Sequence, residues 1–228
     1  MLRVGLTGGL GSGKSTVAAL LRADGFAILE ADAIARELMQ PGQPVFRAIV
    51  EHFGPEVVRA DGGLDRARLA DLVFHQGRLS ELNCIVHPPV IAEQERRMAE
   101  IFDRDPGAIV VVESALIFEA EAWGTVPQWR RRFDRVVLVA APDELKIQRF
   151  LARILPAGAS ADDRARADRD ARARLSAQIP DAVKIPRCDA VIDNAGSLDA
   201  TRAQVDRLVA RLRTEAGAEA PAFAPPLS

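Results

Sequence analysis

Residues 8–15 read Gly8-Gly9-Leu10-Gly11-Ser12-Gly13-Lys14-Ser15, and this order of glycines, lysine and serine is that of a loop that wraps phosphate groups. The apolar run before it, residues 2–6, predicts a buried strand. After it, Val17, Leu20 and Leu21 fall at helical spacing. The loop therefore stands between a strand and a helix. Glycines let backbone N–H groups turn inward around a β-phosphate, and the helix N-terminus adds a partial positive charge there. In such a loop Lys14 reaches the β- and γ-phosphates and the Ser15 hydroxyl ligates Mg²⁺. Gly8, Gly9, Leu10, Gly11, Ser12, Gly13, Lys14 and Ser15 are thus candidate ligands of a nucleoside triphosphate.

Composition narrows the field. A chain of 228 residues can bury roughly 70% of its unfolded surface in a single core. A formal charge of -2 argues against a general nucleic-acid binder. The cation is almost always Arg; Lys14, Lys146 and Lys184 are the only lysines. The abundance of Ala and Arg together accounts for that bias without any function. Cys84 and Cys188 lie outside any C-x-x-C or Cys/His spacing, so both are expected to be reduced thiols. His52, His75 and His87 form no metal-ligand spacing. Glu113 interrupts the longest apolar run, leaving no candidate membrane span. The first strand begins at once, with no signal peptide ahead of it. A cytoplasmic protein with no membrane contact is the expectation.

Further along, residues 26–29 predict a second short strand, ending in Glu30-Ala31-Asp32, and a helix runs on to Met39. Phe46, Ile49, Val50 and Phe53 mark one face of another helix, closed by Gly54-Pro55. Asp65 can cap a helix carrying Leu69, Leu72 and Val73. Two separate helices are then expected on either side of His87-Pro88-Pro89. Residues 44–103 thus read as an all-helical insert. Strands return at 108–112 and 135–140 as continuous apolar runs, the pattern of strands covered on both faces. Residues 190–192 give a last strand, and Leu198, Val205, Leu208, Val209 and Leu212 a closing helix. Strands alternating with helices predict an α/β fold with a parallel, five-stranded sheet and the phosphate loop at the carboxyl end of its first strand.

A guanine-specific site normally carries N-K-x-D, and no lysine here follows an Asn; ATP is the expected nucleotide. Asp32 stands just past the second strand, on the same sheet edge as the loop. A carboxylate there can accept a hydroxyl proton and hold its oxygen in line with the γ-phosphorus, or it can simply cap the next helix. Arg36, at i+4, either pairs with Asp32 on the surface or meets a phosphate of the acceptor. Arg149, Arg153 and Arg174 flank a segment dense in Arg, Asp and Ala. Its middle reads as a solvated face. The arginines at its ends suit a lid closing over ATP, with Arg149 and Arg153 neutralising the transferring phosphoryl group.

Taken together, Leu6-Thr7 with the loop and Thr16, Ala31-Asp32-Ala33-Ile34-Ala35-Arg36, His52-Phe53-Gly54, Asp61-Gly62-Gly63-Leu64-Asp65-Arg66, Leu82-Asn83, His87-Pro88, Gln178 and Ile192-Asp193-Asn194-Ala195-Gly196 resemble the bacterial dephospho-coenzyme A kinases over residues 3–212. The resemblance implies a three-layer P-loop kinase fold. It also implies transfer of the ATP γ-phosphoryl group, with Mg²⁺, to the ribose 3′-hydroxyl of dephospho-coenzyme A, the last step of coenzyme A synthesis. It makes Asp32 the catalytic base and Arg36 an acceptor contact, adds Thr16 to the nucleotide site, and puts Asn194 near the adenine. His87 is expected to start a helix of the insert, as a structural residue or an acceptor contact. The implied layout is a single domain over 1–214: a core at about 1–43, 104–148 and 184–214, an acceptor-binding insert at about 44–103, and a lid at about 149–183. Residues 215–228 are an expected disordered tail, and no obligate protein partner is evident.

Three departures stand out. Glu113-Ser114-Ala115-Leu116-Ile117-Phe118-Glu119 replaces a common Asp followed by Pro-Leu-Leu-Phe-Glu, so Glu113 is the candidate for holding a magnesium water. The lid is longer than usual around residues 155–170, and Lys146 stands where Gln is expected. Two other readings stay open: a kinase of the same fold acting on a nucleoside, nucleotide or other small acceptor, and a nucleotide-responsive binding protein without transfer.

Overall fold

The five apolar runs become five parallel strands in the computed structural model, which describes residues 1–124 and 129–217. These are β1 (Leu2–Thr7), β2 (Ala27–Glu30), β3 (Ile109–Glu113), β4 (Arg135–Ala140) and β5 (Ala190–Asp193), in the spatial order β2-β3-β1-β4-β5. Ten α-helices join them among the described residues: α1 (Lys14–Ala23), α2 (Ala31–Leu38), α3 (Pro44–Phe53), α4 (Arg66–Ala70), α5 (Leu79–Arg104), α6 (Ile117–Ala122), α7 (Asp143–Ile154), α8 (Ala161–Ser176), α9 (Asp181–Lys184) and α10 (Leu198–Ala216).

Alternation along the strands divides the core into two layers. Val111, Val137 and Val139 turn to one face and meet Val17 and Leu21 of α1 and Val205, Leu208 and Leu212 of α10. Val110, Val112 and Val136 turn to the other, against Ile34 of α2, Val90 and Met98 of α5 and Phe118 of α6. Successive strand residues point to opposite faces, so a run such as Ile109-Val110-Val111-Val112 serves both layers. The result is a helix–sheet–helix sandwich with β1 at its centre, between β3 and β4. Because every strand is parallel, all five carboxyl ends share one edge. The adjacent strands β1 and β3 feed connections toward opposite ends of the sheet, which opens a crevice between their carboxyl ends, the usual ligand position in such sheets.

Residues 44–103 fold onto a third cluster, in which Val45, Ile49 and Phe53 of α3 pack with Val57, Leu69, Leu72 and Val73. Local signals set its boundaries. Pro44 opens α3, where a missing N–H costs nothing, and Asp65 caps α4 by accepting the Arg68 amide at 2.9 Å. One expectation is overturned here. His87-Pro88-Pro89 does not divide two helices and His87 starts none; all three lie inside the 26-residue α5. Interior prolines cost a helix about 3 kcal/mol, but α5 is held at both ends. Leu79, Leu82 and Val86 pack on the insert cluster, and Val90, Met98 and Ile101 on the sheet. Tertiary burial outweighs the local penalty. The closing helix runs slightly past its expected end, to Ala216, and Gly217 caps it in the left-handed region at φ 69°. The remainder of the expected tail, residues 218–228, lies outside the described residues.

Candidate active site

Thr7 ends β1, residues 8–13 form the loop, and Lys14 opens α1. Two glycines have no substitute here. Gly11 (φ 70°) and Gly13 (φ 94°) occupy the left-handed region, and a Cβ on either would overlap a neighbour, the Lys146 carbonyl at Gly11 and the Asn194 amide at Gly13. The loop is therefore pressed between α7 and the end of β5. Asn194 donates from Nδ2 to the Ser12 carbonyl at 2.8 Å and accepts the Thr201 hydroxyl at 2.7 Å. Its amide is thus engaged in buttressing the loop from behind. Ser15 and Thr16 sit exposed at the start of α1.

Lys14 lies along the loop with Nζ 3.4 Å from the Gly9 carbonyl. Burial lowers its pKa, and the nearby carboxylates of Glu113 and Asp32 partly restore it. Glu113 ends β3, beside Leu6 of β1 and Glu30 of β2 in register. It is half-buried, and that burial raises its pKa against the opposing pull of Lys14. Asp32 is exposed in the first turn of α2. The ends of β1, β2 and β3 thus gather Lys14, Asp32 and Glu113 into one electrostatic group, as the sheet order dictates. Arg36 donates from Nε to the Asp32 backbone carbonyl at 3.0 Å, not to its carboxylate. Of the two readings left open for Arg36, the surface ion pair with the Asp32 carboxylate is therefore not formed, and the Asp32 side chain remains exposed.

On the other side of the loop, α7 and α8 form a hairpin around Ile147, Phe150 and Ala171, and Leu10 of the loop packs into the same cluster. Arg149 is half-buried, and its Nη1 has no hydrogen-bond partner among the described residues. A guanidinium donor left open in this way keeps its capacity to bond an anion. Arg153, one turn on, lies over the Phe150 ring at 5.5 Å, and Arg174 of α8 approaches the same ring at 6.0 Å. The Arg153 charge reaches Lys14. The middle of α8 is solvated apart from Ala171.

Three features escaped the sequence reading of the site. Gln178 accepts the Leu10 amide through Oε1 at 2.9 Å. Lys146, almost wholly buried, donates to Asp181 at 2.6 Å and to Asp143 at 3.1 Å, tying the start of α7 to α9. Lys184 and Glu119 form an ion pair at 2.7 Å with exposures of 0% and 1%, and Glu119 also accepts the Ile179 amide at 3.0 Å. Of the three lysines, Lys14 lies in the loop and Lys146 packs against Gly11 of it, whereas Lys184 pairs with Glu119 of α6. His87 lies apart from the loop, on α5, with its ring stacked on Trp123 at 6.1 Å between centroids.

Among the described residues, no helix is long and apolar enough to cross a membrane. The model of the dephospho-CoA kinase family matches residues 2–200. A dephospho-CoA kinase of Corynebacterium efficiens is 39% identical over 215 residues, covering 94% of this chain and 98% of that relative. One of Symbiobacterium thermophilum is 44% identical over 204 residues, covering 89% and 78%. Among solved structures, the TT1252 protein of Thermus thermophilus superposes with a TM-score of 0.69 at 35% identity, covering 92% of this chain and 97% of that one. The dephospho-CoA kinase of Campylobacter jejuni shares the fold with a TM-score of 0.62 at 23% identity, covering 93% and 98%. With a family model spanning most of its length and relatives matched nearly end to end, the chain belongs to the dephospho-CoA kinase family.

Proposed function

We propose that the chain transfers the γ-phosphoryl group of ATP to the ribose 3′-hydroxyl of dephospho-coenzyme A, giving ADP and coenzyme A in the final step of coenzyme A synthesis. The observation that carries this reading is the grouping of Lys14, Asp32 and Glu113 at one sheet edge, with Asp32 exposed. ATP as donor suits a cytoplasmic enzyme.

Each residue has a task in this scheme. The loop amides from Gly8 to Thr16 hold the phosphates, and Lys14 neutralises the β- and γ-oxygens. Asp32 accepts the proton of the 3′-hydroxyl as the oxygen lone pair attacks the γ-phosphorus, and the bond from phosphorus to the β-phosphate oxygen breaks. Its exposed carboxylate is a weak base, but phosphoryl transfer needs positioning more than strong base catalysis. Arg149 and Arg153 meet the charge on the transferring group when the α7–α8 hairpin acts as a lid, and the open Nη1 of Arg149 supports that use. Arg36 contacts the acceptor, the helices of residues 44–103 seat it, and Asn194 keeps the loop in shape behind the nucleotide.

Magnesium fits this donor set in a particular way. Among the described residues no three acidic, His or Cys side chains gather into a metal cage. A serine hydroxyl and one carboxylate suit an ion that arrives on the triphosphate and keeps several waters. Ser15 would hold it directly and Glu113 through water. When bound, magnesium supplies charge neutralisation across the β- and γ-oxygens.

An acceptor panel tests the assignment. ADP release from Mg·ATP is followed with dephospho-coenzyme A and with nucleosides and nucleotides at equal concentration. Stimulation confined to dephospho-coenzyme A is expected. Preferential stimulation by another acceptor, or nucleotide binding with no transfer at all, would overturn it.

A further inference from the structure

The short segment 178–184 makes side-chain contacts with the phosphate loop, α6 and α7. Gln178 accepts the Leu10 amide at 2.9 Å, and the next residue, Ile179, donates its own amide to Oε1 of Glu119 on α6 at 3.0 Å. Asp181 accepts Lys146 of α7 at 2.6 Å, and Lys184 closes the segment by pairing with Glu119 at 2.7 Å. Among its apolar side chains Ile179 packs on the core, whereas Pro180, Ala182 and Val183 are exposed. Polar anchors therefore do most to fix where this segment lies.

Its grip falls on the tip of the phosphate loop. The Ser12 amide donates to the Gly9 carbonyl at 3.1 Å, which makes residues 9–12 a tight turn, and Gly11 supplies the positive φ, 70°, that such a turn needs at its third residue. The Leu10 amide takes no part in that turn bond and is held by Gln178 alone. We propose that Glu119 is a positioning residue for the nucleotide: its carboxylate holds the Ile179 amide, which sets the Gln178 side chain against Leu10 and so fixes the turn of the phosphate loop. The inference rests on reading that loop as the ATP site and adds a residue on α6 that shapes it without touching the nucleotide. Stability alone does not explain the placement of Glu119. Its ion pair with Lys184 is enclosed, with exposures of 1% and 0%, and an apolar pair of similar volume often serves a protein interior as well or better. What an apolar side chain cannot supply is an acceptor for the Ile179 amide, which would then be left without its partner.

The experiment separates the charge of Glu119 from its role as acceptor. Two double variants remove the buried charges together, Glu119→Gln with Lys184→Met and Glu119→Leu with Lys184→Met; Gln keeps an oxygen for the Ile179 amide and Leu does not. The dissociation constant for Mg·ATP is measured by titration of each full-length protein, and denaturant unfolding checks that each is folded. The Gln pair should bind ATP within about twofold of wild type, and the Leu pair at least fivefold more weakly. Adding Gln178→Ala to both should bring their dissociation constants within twofold of each other, because the effect passes through that side chain. Equal affinity in the two pairs, or a difference that persists undiminished with Gln178→Ala, would overturn the inference. Hydrogen exchange in the wild-type protein tests it without any variant. The Leu10 and Ile179 amides should show protection equal within about threefold, and a Leu10 amide at least tenfold less protected would show that the two bonds open independently, which would also overturn it. A wild-type protein that binds no ATP would instead overturn the reading of the loop itself.

Discussion

Gln178 and Leu10 lie 168 residues apart in sequence and are joined by a hydrogen bond of 2.9 Å from the Leu10 amide to the Gln178 side-chain oxygen. The Leu10 side chain meanwhile packs with Ile147, Phe150 and Ala171. The phosphate loop is therefore held at one residue by both backbone and side chain, from the α7–α8 hairpin and the segment that follows it. This attachment links the shape of the loop to the position of the hairpin that carries Arg149 and Arg153.

Replacing Gln178 with Ala should cost about 0.5–1.5 kcal/mol of stability, the usual net worth of one such bond. KM for ATP should rise several-fold while KM for the acceptor stays unchanged. Denaturant unfolding and steady-state kinetics read the two effects. A normal KM for ATP would mean that the bond fastens the hairpin without shaping the nucleotide site.

The Glu119–Lys184 pair is fully enclosed, so removing one partner strands a charge. Lys184→Met should destabilise the fold by about 3–5 kcal/mol. Adding Glu119→Gln to that variant should recover a large part of the loss. A double variant no better than the single one would contradict the account, because it would place the cost in packing and not in the orphaned carboxylate.

Asp32→Asn should leave nucleotide affinity near normal and lower turnover about 10²-fold or more. Lys14→Ala should damage both. Unchanged turnover in the first variant would remove Asp32 from the proton transfer, and normal kinetics in the second would remove Lys14 from the phosphate site.

Lys14 also sets a pH limit. Burial pulls its pKa below 10.5, so its cation is lost at a lower pH than that of an ordinary lysine. The folded chain then binds this proton less tightly than the unfolded chain, and the group adds stability as pH rises through the interval between its lowered pKa and 10.5. Function follows the opposite course. The alkaline fall of kcat/KM for ATP should begin below that of an unperturbed lysine. Glu113→Gln removes a carboxylate that supports the cation, so it should move the fall to still lower pH. A limb at the ordinary lysine position, unmoved in Glu113→Gln, would contradict this.

The parts of the fold that were legible in the sequence are those governed by local or repeating constraints. Residues 109–112 and 136–139 are buried on both faces and hence uniformly apolar. The phosphate loop has a backbone conformation that only its glycines allow, and Asp32 falls at the sheet edge once the strands are counted. Elements decided by tertiary contact were not legible. α5 passes through Pro88 and Pro89 because two separate clusters grip its ends, which no window around the prolines reveals. The contacts of Gln178, Asn194 and Glu119 join segments distant in sequence, and nothing in their spacing marks them. Arg36 was placed on the correct helix face, yet its partner is the Asp32 carbonyl, a choice between two nearby oxygens that only geometry settles.

The most direct test of the central claim uses γ-labelled ATP with dephospho-coenzyme A and locates the label in the product. The account predicts coenzyme A labelled at the ribose 3′ position and one ADP formed per label transferred. Label released as inorganic phosphate, or attached to the acceptor at any other hydroxyl, would contradict it.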